Sequence, residues 1–594
     1  MKLSNIVAQF LVEQGIGHAF VVSGGASLHL IHSIAETKGT AYVCPQHEQA
    51  GAMAADAYAR VTGGMGCAVA TSGPGATNLI TGICSAYYDS VPVLFLTGNV
   101  ATFRAKGDTG VRQVGFQETE MAEMCRSITK YSVLVKDPYR IRYELQKAVA
   151  IAKSGRPGPV LVDIPDDLQR MDIDPAKLVE YSPEADAAKQ VSPDQIRACV
   201  EALRGSRRPV LVYGWGIHLS HAEAEARALV KTLGIPVALT WAALDLYPFS
   251  DPQAVGGFGT HGIRAANFTV QNADLILSVG SRLDTKATGS PASSFAREAK
   301  VIMVDIDPAE INKFKRFGRH IDLGISNDAR AFLQALTKAA KDVRFPDLQS
   351  WRERVAQWKA RYPAVDPKYA AQRDVNPYWF VKQLAAQLGE GEVIVSDTGC
   401  ALAWMMQAFE FKERQRFFHA FNNTPMGYGL PAAIGACFAR PGKRTILVSG
   451  DGSLQMSIHE LATIARHRLP VKILMFNNQG HGMVRQTQDQ WLGSHYYATS
   501  VEGGLAAPDF VAVARAHGIE ADTLELNADI KAKLARALAA DGPAFINIVV
   551  DPKSRVQPQV KFGRPNEDGE PLLERAEFLS NMLVKPLPAS LEKN

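Results

Sequence analysis

The chain has 594 residues, too many for one ordinary core, which predicts three or four domains. Its 46% hydrophobic and 21% charged residues are those of a globular protein, and a net charge of +4 without a Lys/Arg cluster excludes a nucleic-acid footprint. No apolar run approaches the ~20 residues that span a bilayer, so no membrane partner is expected.

The opening "MKLSNIVAQFLVEQ" has helical apolar spacing with charges inside it, unlike a signal peptide. Seven scattered cysteines without a CxxC pair are expected as reduced core thiols, and together these features predict a cytoplasmic protein. Residues 1–172 then alternate helical segments with the runs "HAFVVSG", "AYVCP", "GCAVATSG", "PVLFLTG" and "PVLVDIP". A polar stretch, "RMDIDPAKLVEYSPEADAAKQVS", reads as a linker. A second block, 190–342, contains "RPVLVYGWG", "IPVALT", "ADLILSVGS" and "KVIMVDID". The charged helical stretch "SWRERVAQWKARYPAVDPKYAAQRDV" forms a second linker. A third block, 372–552, contains "EVIVSDTG", "RTILVSGDG", "VKILMFNN" and "PAFINIVV", and 553–594 reads as a C-terminal tail. Short Val/Ile/Leu runs between helices predict an α/β protein of three doubly wound parallel-sheet domains.

Within the third block, "RTILVSGDGSLQMSIHELATIARHRLPVKILMFNNQG" reads as strand, helix, strand. That unit places Asp451 and Asn478 at the carboxyl ends of two neighbouring strands, the edge where α/β sheets bind ligands. A carboxylate and an amide carbonyl are hard oxygen donors of the kind Mg²⁺ takes, completed by phosphate oxygens and water. Gly450 and Gly452 let the backbone approach a bulky anion, and Ser453 begins a helix whose N–H groups favour phosphate.

This Gly-Asp-Gly, followed by Asn-Asn, resembles the cofactor motif of thiamine diphosphate enzymes. The resemblance implies that Asp451, Asn478 and the carbonyl of Gly480 bind Mg²⁺, which bridges to the cofactor's diphosphate. In that family a glutamate bonded to the cofactor's pyrimidine ring assists C2 deprotonation. "CPQHEQAGAMAADAYARVTGG" resembles the corresponding segment of the acetolactate synthase branch and makes Glu48 the catalytic carboxylate. "ATSGPGATNLITGI", "GFQETE", "SGRPGPVLVDIPDDLQ", "NNTPMGYGLPAAIGA" and "GHGMV" carry the same resemblance through nearly the whole chain. It implies pyrimidine-binding, central and diphosphate-binding domains, with Gly73, Gly399, Met426 and Met483 also at the cofactor and Met426 beneath its bent form. It further implies a homo-oligomer, a dimer at least and often a tetramer, whose sites lie between subunits. The expected reaction decarboxylates a 2-oxo acid, pyruvate, and passes the two-carbon unit to a carbonyl acceptor.

Several positions depart from the branch. Thr487 stands where a tryptophan usually selects a small acceptor, and Lys286 replaces an arginine that reads the acceptor's carboxylate, losing its bidentate fork. Asn99 replaces a glutamine, and His29 and His32 follow the early Gly-Gly-Ala motif in place of proline and aspartate. His29, Asn99, Gln117, Lys286 and Thr487 form the expected acceptor set, while paired histidines on a helix, as His29 and His32 are, are more often packing or surface residues. Two readings follow: a carboligase acting on a larger ketone such as a keto-sugar nucleotide, similar to yersiniose-type branching enzymes, or a synthase subfamily in which Thr487 is neutral. The branch also carries a non-redox FAD, which implies contacts from Arg126, Gly214, Gly216, His261, Arg282 and Asp305. A 2-oxo acid decarboxylase or carbon–carbon hydrolase on the same scaffold is the alternative enzyme. A silent scaffold would have lost Glu48 or the metal residues, and no G-x-G-x-x-G opens a helix after the first strand as a nicotinamide dehydrogenase requires.

Overall fold

A computed structural model of the chain describes residues 1–183 and 190–591. Part of the first expected linker, 184–189, lies outside the described residues. The first sheet contains β1 (His18–Val21), β2 (Ala41–Val43), β3 (Gly66–Ala70), β4 (Val93–Asn99), β5 (Tyr131–Leu134) and β6 (Val160–Pro165). The second contains β7 (Pro209–Tyr213), β8 (Val237–Leu239), β9 (Ala254–Gly257), β10 (Leu275–Val279), β11 (Lys300–Asp305) and β12 (Leu323–Ser326). The third contains β13 (Val393–Ser396), β14 (Arg416–Phe418), β15 (Thr445–Gly450), β16 (Val471–Asn477), β17 (Glu520–Leu524) and β18 (Ala544–Val549).

Every pairing within these sheets is parallel. The first and third sheets share one topology, β2-β1-β3-β4-β6-β5 and β14-β13-β15-β16-β18-β17. The second runs β12-β11-β10-β7-β8-β9, the doubly wound dinucleotide-binding order. In each sheet the strand order reverses beside the first strand, so the flanking loops part there and leave a crevice at the carboxyl edge. The crevices lie between β1 and β3, between β7 and β10, and between β13 and β15.

Thirteen strands coincide with the apolar runs. The five that do not, β5, β9, β12, β14 and β17, all sit on sheet edges. An edge strand is covered less completely than a central one and carries a mixed sequence such as "EADTL" in β17, whose residues are mostly not buried.

Neither the second linker nor the tail is free of the core. The helix Gln349–Arg361 buries Trp351, Val355 and Trp358 against the middle domain. The tail first bonds to the third domain through Arg555, Val556 and Gln557, and its later part packs over the middle domain, with Phe578 1% exposed in its core. Trp358 Nε1 donates to Asn581 Oδ1 at 2.9 Å, and Glu567 accepts from Gln271 at 2.5 Å and Arg297 at 2.8 Å. The tail's polar composition hid this role because several of its buried groups, Asn566, Glu567, Asp568 and Asn581, are polar and held by hydrogen bonds. Phe578→Ala is expected to lower the unfolding free energy by about 3–5 kcal/mol, the usual range for a buried Phe, measured by denaturant unfolding with a probe in the middle domain.

Candidate active site

β15 and β16 pair up to Gly450 opposite Phe476, so both chains leave the sheet side by side. Asp451 and Asn478 follow within two residues of those ends, as the strand–helix–strand reading required. The crossover helix starts at Asp451, two residues before Ser453, with Gly450 as its N-cap. Asp451 Oδ1 accepts from the N–H of Gly452 at 2.7 Å, and Oδ2 from that of Gly480 at 3.0 Å. Burial pushes the Asp451 carboxyl up to about 6 against the pull of those two N–H groups.

Asn478 is buried, and its Oδ1 has no hydrogen-bond partner. A buried amide oxygen left unpaired is costly, and it lies on the wall of a cavity shared with the Asp451 carboxylate. This donor set fits a hard cation. Among the described residues no group of three or more His, Cys, Asp or Glu side chains could hold a metal, so a cation here needs backbone, water or phosphate oxygens as well.

The cavity, about 240 Å³, is lined by Gly399, Met426, Gly450, Gly452, Ser453, Gly480 and Met483, among others. Two glycines keep it open. A Cβ on Gly452 would meet the His481 ring at 2.6 Å, and Gly399 holds φ +86° with nothing within 4 Å of its Cβ direction. Met426 rides on a loop fixed by Asp397, which accepts from the N–H groups of Gly427 at 3.2 Å and Gly429 at 2.8 Å. A second cavity of about 350 Å³ shares Thr398, Gly399 and Met483 with the first. Lys286 and His261 line it. Burial lowers the Lys286 ammonium and takes the His261 imidazole down to about 3, so His261 is neutral there. Thr487 lies one turn beyond Met483, with its hydroxyl donating to Met483 O at 3.3 Å.

The crevice of the first sheet gathers another set. Glu48 opens the helix Glu48–Thr62, and its Oε2 accepts from Asn78 Nδ2 at 2.9 Å. Gly75 lies against it, since a Cβ there would stand 3.1 Å from Glu48 Oε1. Gly73 holds φ +63° with Gln117 closely packed on it. Asn78 was not foreseen from the sequence; only its place in the Gly-Pro-Gly segment offered a signal. Among the described residues, none from 1–172 lines the Asp451 cavity.

Asn99, His29, His32 and Arg126, considered for the acceptor and flavin sites, line none of the described cavities in the single chain. Asn99 is buried and committed: Nδ2 donates to Asp163 at 2.6 Å and to Thr119 O at 3.2 Å, while Oδ1 accepts from Val100 N. Asp163 is pushed up to about 7 by burial and needs those donors, so Asn99 serves the core and not a substrate. His29 is half-buried with Lys2, Asp166 and Arg170 as its charged neighbours, and His32 is exposed; neither lines a described cavity. Arg126 is exposed and paired with Glu123.

The flavin set divides between two cavities. Gly216, Arg282 and Asp305 line a cavity of about 310 Å³ at the β7/β10 crevice, with Trp215, Trp241 and Arg156. Gly214 backs it, and a Cβ there would strike Ser281 Cα at 2.2 Å. Arg282 and Leu283 adopt φ +56° and +46°, a strained turn of the kind that clusters at ligand sites. His261 lies in the neighbouring Lys286 cavity, which shares Trp241, Asp284 and Asn422 with this one.

The arrangement matches known proteins throughout. The profiles described as the N-terminal TPP binding domain, the central domain and the C-terminal TPP binding domain of thiamine pyrophosphate enzymes match residues 1–124, 196–336 and 397–548. The probable acetolactate synthase large subunit of Methanocaldococcus jannaschii is 36% identical over 568 residues, 93% of this chain and 92% of that protein. The chain belongs to the acetolactate synthase family of thiamine pyrophosphate enzymes. The acetolactate synthase large subunit of Porphyra purpurea (34% identical, covering 94% of this chain and 93% of its own) and acetolactate synthase 2 of Nicotiana tabacum (34%, 96% and 85%) are similar over the same span. No helix among the described residues is long and apolar enough to cross a membrane.

Asp451→Asn is expected to weaken Mg²⁺-dependent thiamine diphosphate binding on the order of 100-fold, because a neutral amide replaces the charged oxygen ligand. Calorimetric titration with and without Mg²⁺ checks this; equal affinity with and without the metal in the parent protein would remove the metal assignment.

Proposed function

We propose that this enzyme decarboxylates pyruvate and joins the two-carbon unit to the carbonyl carbon of a second substrate. The juxtaposition of Asp451 with the unpartnered Asn478 oxygen, in the crevice of the third sheet, carries the reading. Asp451, Asn478 and the Gly480 carbonyl would hold Mg²⁺, and Ser453 with Gly450 and Gly452 would leave room for a diphosphate. Bound thiamine diphosphate supplies a carbon nucleophile at its thiazolium C2 and accepts the electrons released with carbon dioxide. Glu48 exchanges a proton with the pyrimidine ring, and Asn78 holds its carboxylate in line. The C1–C2 bond of pyruvate breaks, a bond forms to the acceptor carbonyl carbon, and that carbonyl oxygen takes a proton.

Glu48 lies in the first domain and no residue from 1–172 lines the Asp451 cavity among the described residues, which supports a site completed by a second copy of the chain. Large apolar side chains stand exposed on both domains: Phe116 (84%), Phe103 and Val114 on the first, Tyr497 (75%), Trp491 and Leu492 on the third. Exposed apolar side chains of this kind support a homodimer as the minimal unit. The β7/β10 cavity and its abutting neighbour would be the place for FAD, with Gly216, Arg282, Asp305 and His261 as the residues that would hold it. In the second cavity Lys286 provides a single cation for the acceptor, while the small Thr487 leaves the helix face beyond Met483 uncovered. That combination favours an acceptor bulkier than a second pyruvate, such as the ketone of a keto-sugar nucleotide.

Product analysis by mass tests the reaction. Pyruvate, thiamine diphosphate and Mg²⁺ are expected to give carbon dioxide with a two-carbon adduct on an added ketone in preference to acetolactate. Acetolactate as the sole product, unaffected by added ketone, refutes the acceptor assignment. Acetaldehyde alone refutes the ligation. Glu48→Gln is expected to keep cofactor affinity within about twofold and to lower kcat by about 10²–10⁴, the span of a lost proton-transfer group.

A further inference from the structure

Glu460 is fully buried, although it lies outside every cavity described above. It ends the single turn Ile458–Glu460, which follows the helix that begins at Asp451. Its Oε1 accepts the backbone N–H of Gln46 at 2.8 Å, and its Oε2 accepts the Thr463 hydroxyl at 2.8 Å. The N–H of His47 also bonds to this carboxylate, and His459 Nε2 stands 3.5 Å from Oε1. The Gln46 side chain reaches Thr463 Oγ1 at 3.3 Å, closing the cluster.

Gln46 and His47 are the two residues that lead into Glu48. His47 caps the Glu48 helix, its Nδ1 accepting from the N–H of Gln49 at 3.1 Å. A carboxylate of the third domain therefore takes the N–H groups just ahead of the first turn, the part of a helix that lacks partners of its own. Further along, Tyr428 donates to Asp56 Oδ2 at 2.6 Å, which ties the middle of the same helix to the third domain as well. The helix is thus held at two points, and the point at Glu460 controls where its first residue aims.

Burying a carboxyl is costly, and an apolar side chain would fill the same space without that cost. What an apolar side chain cannot do is accept two converging N–H groups. Burial alone would favour the neutral acid and moves Glu460 up to about 7, while the Thr463 hydroxyl and the two backbone donors favour the charged form.

We propose that Glu460 is a positioning residue that aims Glu48 at the cofactor by fixing the chain at Gln46 and His47. The proposal rests on the reading of Glu48 as the proton-exchanging carboxylate. It assigns Glu460 no contact with cofactor or substrate. The crossover that starts at the metal residue Asp451 then also seats the carboxylate that activates thiamine.

The test is the rate of hydrogen–deuterium exchange at C2 of bound thiamine diphosphate, followed by NMR after acid quench, on the dimeric holoenzyme. Glu460→Ala is expected to slow exchange by about 10- to 100-fold, since small misplacements of a proton-transfer group carry penalties of that order. Glu460→Gln keeps an acceptor oxygen for Gln46 and is expected to exchange within about threefold of the parent. Thiamine diphosphate affinity should stay within about twofold in both, which a general loss of structure would not allow. If Glu460→Ala does not fold, Glu460→Asp, with its shorter reach, is expected to slow exchange in its place. A folded Ala or Asp variant that exchanges at the parental rate overturns the proposal, as does a Gln variant as slow as Ala, because charge and not placement would then matter. Glu48→Gln run in parallel separates the two readings. Exchange surviving in Glu48→Gln refutes the Glu48 role itself, whereas exchange lost there but intact in the Glu460 variants refutes only the positioning.

Discussion

The register of β15 on β16 is the constraint from which the site follows. Because the strands are parallel and paired to Gly450 and Phe476, the chain must leave both at one edge, and the first polar residues beyond the sheet become neighbours. Asp451 and Asn478 occupy those places. A shift of one residue in either strand would turn its alternating side chains to the other face and part the two oxygens. The apolar run "ILMF" in β16 resists such a shift, since Ile473, Leu474, Met475 and Phe476 are all buried. The placement of the Asp451 and Asn478 oxygens is therefore set by strand packing several residues away.

The second constraint lies between domains. Asp56, Arg60, Asp89 and Tyr428 form a buried cluster in which Arg60 donates to both carboxylates and Tyr428 to Asp56. Asp89 also accepts the N–H groups of Phe421 and Asn422, at the start of the loop that leads to Met426. Arg60 stays charged despite full burial because two carboxylates face it. Trp215 of the middle domain places its ring 5.3 Å from the Arg60 guanidinium, so all three domains converge here. The same cluster borders the β7/β10 cavity through Asp89, Trp215 and Asn422. The cofactor loop and the middle cavity thus share one electrostatic anchor, and neither can shift far without disturbing the other.

Legibility followed physics closely. Central strands showed as continuous apolar runs because helices cover both their faces, while edge strands such as β14 and β17 are short and only partly covered. Gly73 and Gly399 are picked out through the family resemblance, and both hold a positive φ, the backbone conformation that favours glycine. The partners of Asn99 gave no signal, because a polar side chain looks alike in sequence whether it faces a ligand or a buried carboxylate such as Asp163. Asn78, Glu460 and Asp89 gave little signal, since their roles come from partners 30 to more than 400 residues away.

By itself the sequence determined the α/β class, the family and the placement of Asp451 and Asn478 at neighbouring strand ends, because local periodicity and tight glycine turns are encoded over a few residues. Only the tertiary structure decided that the tail belongs to the middle core, that Asn99 is spent on Asp163 and that a third-domain carboxylate holds the Glu48 helix. Those outcomes depend on which segments meet across hundreds of residues, and on whether a buried polar group finds its hydrogen-bond partner there, which no short stretch of chain specifies.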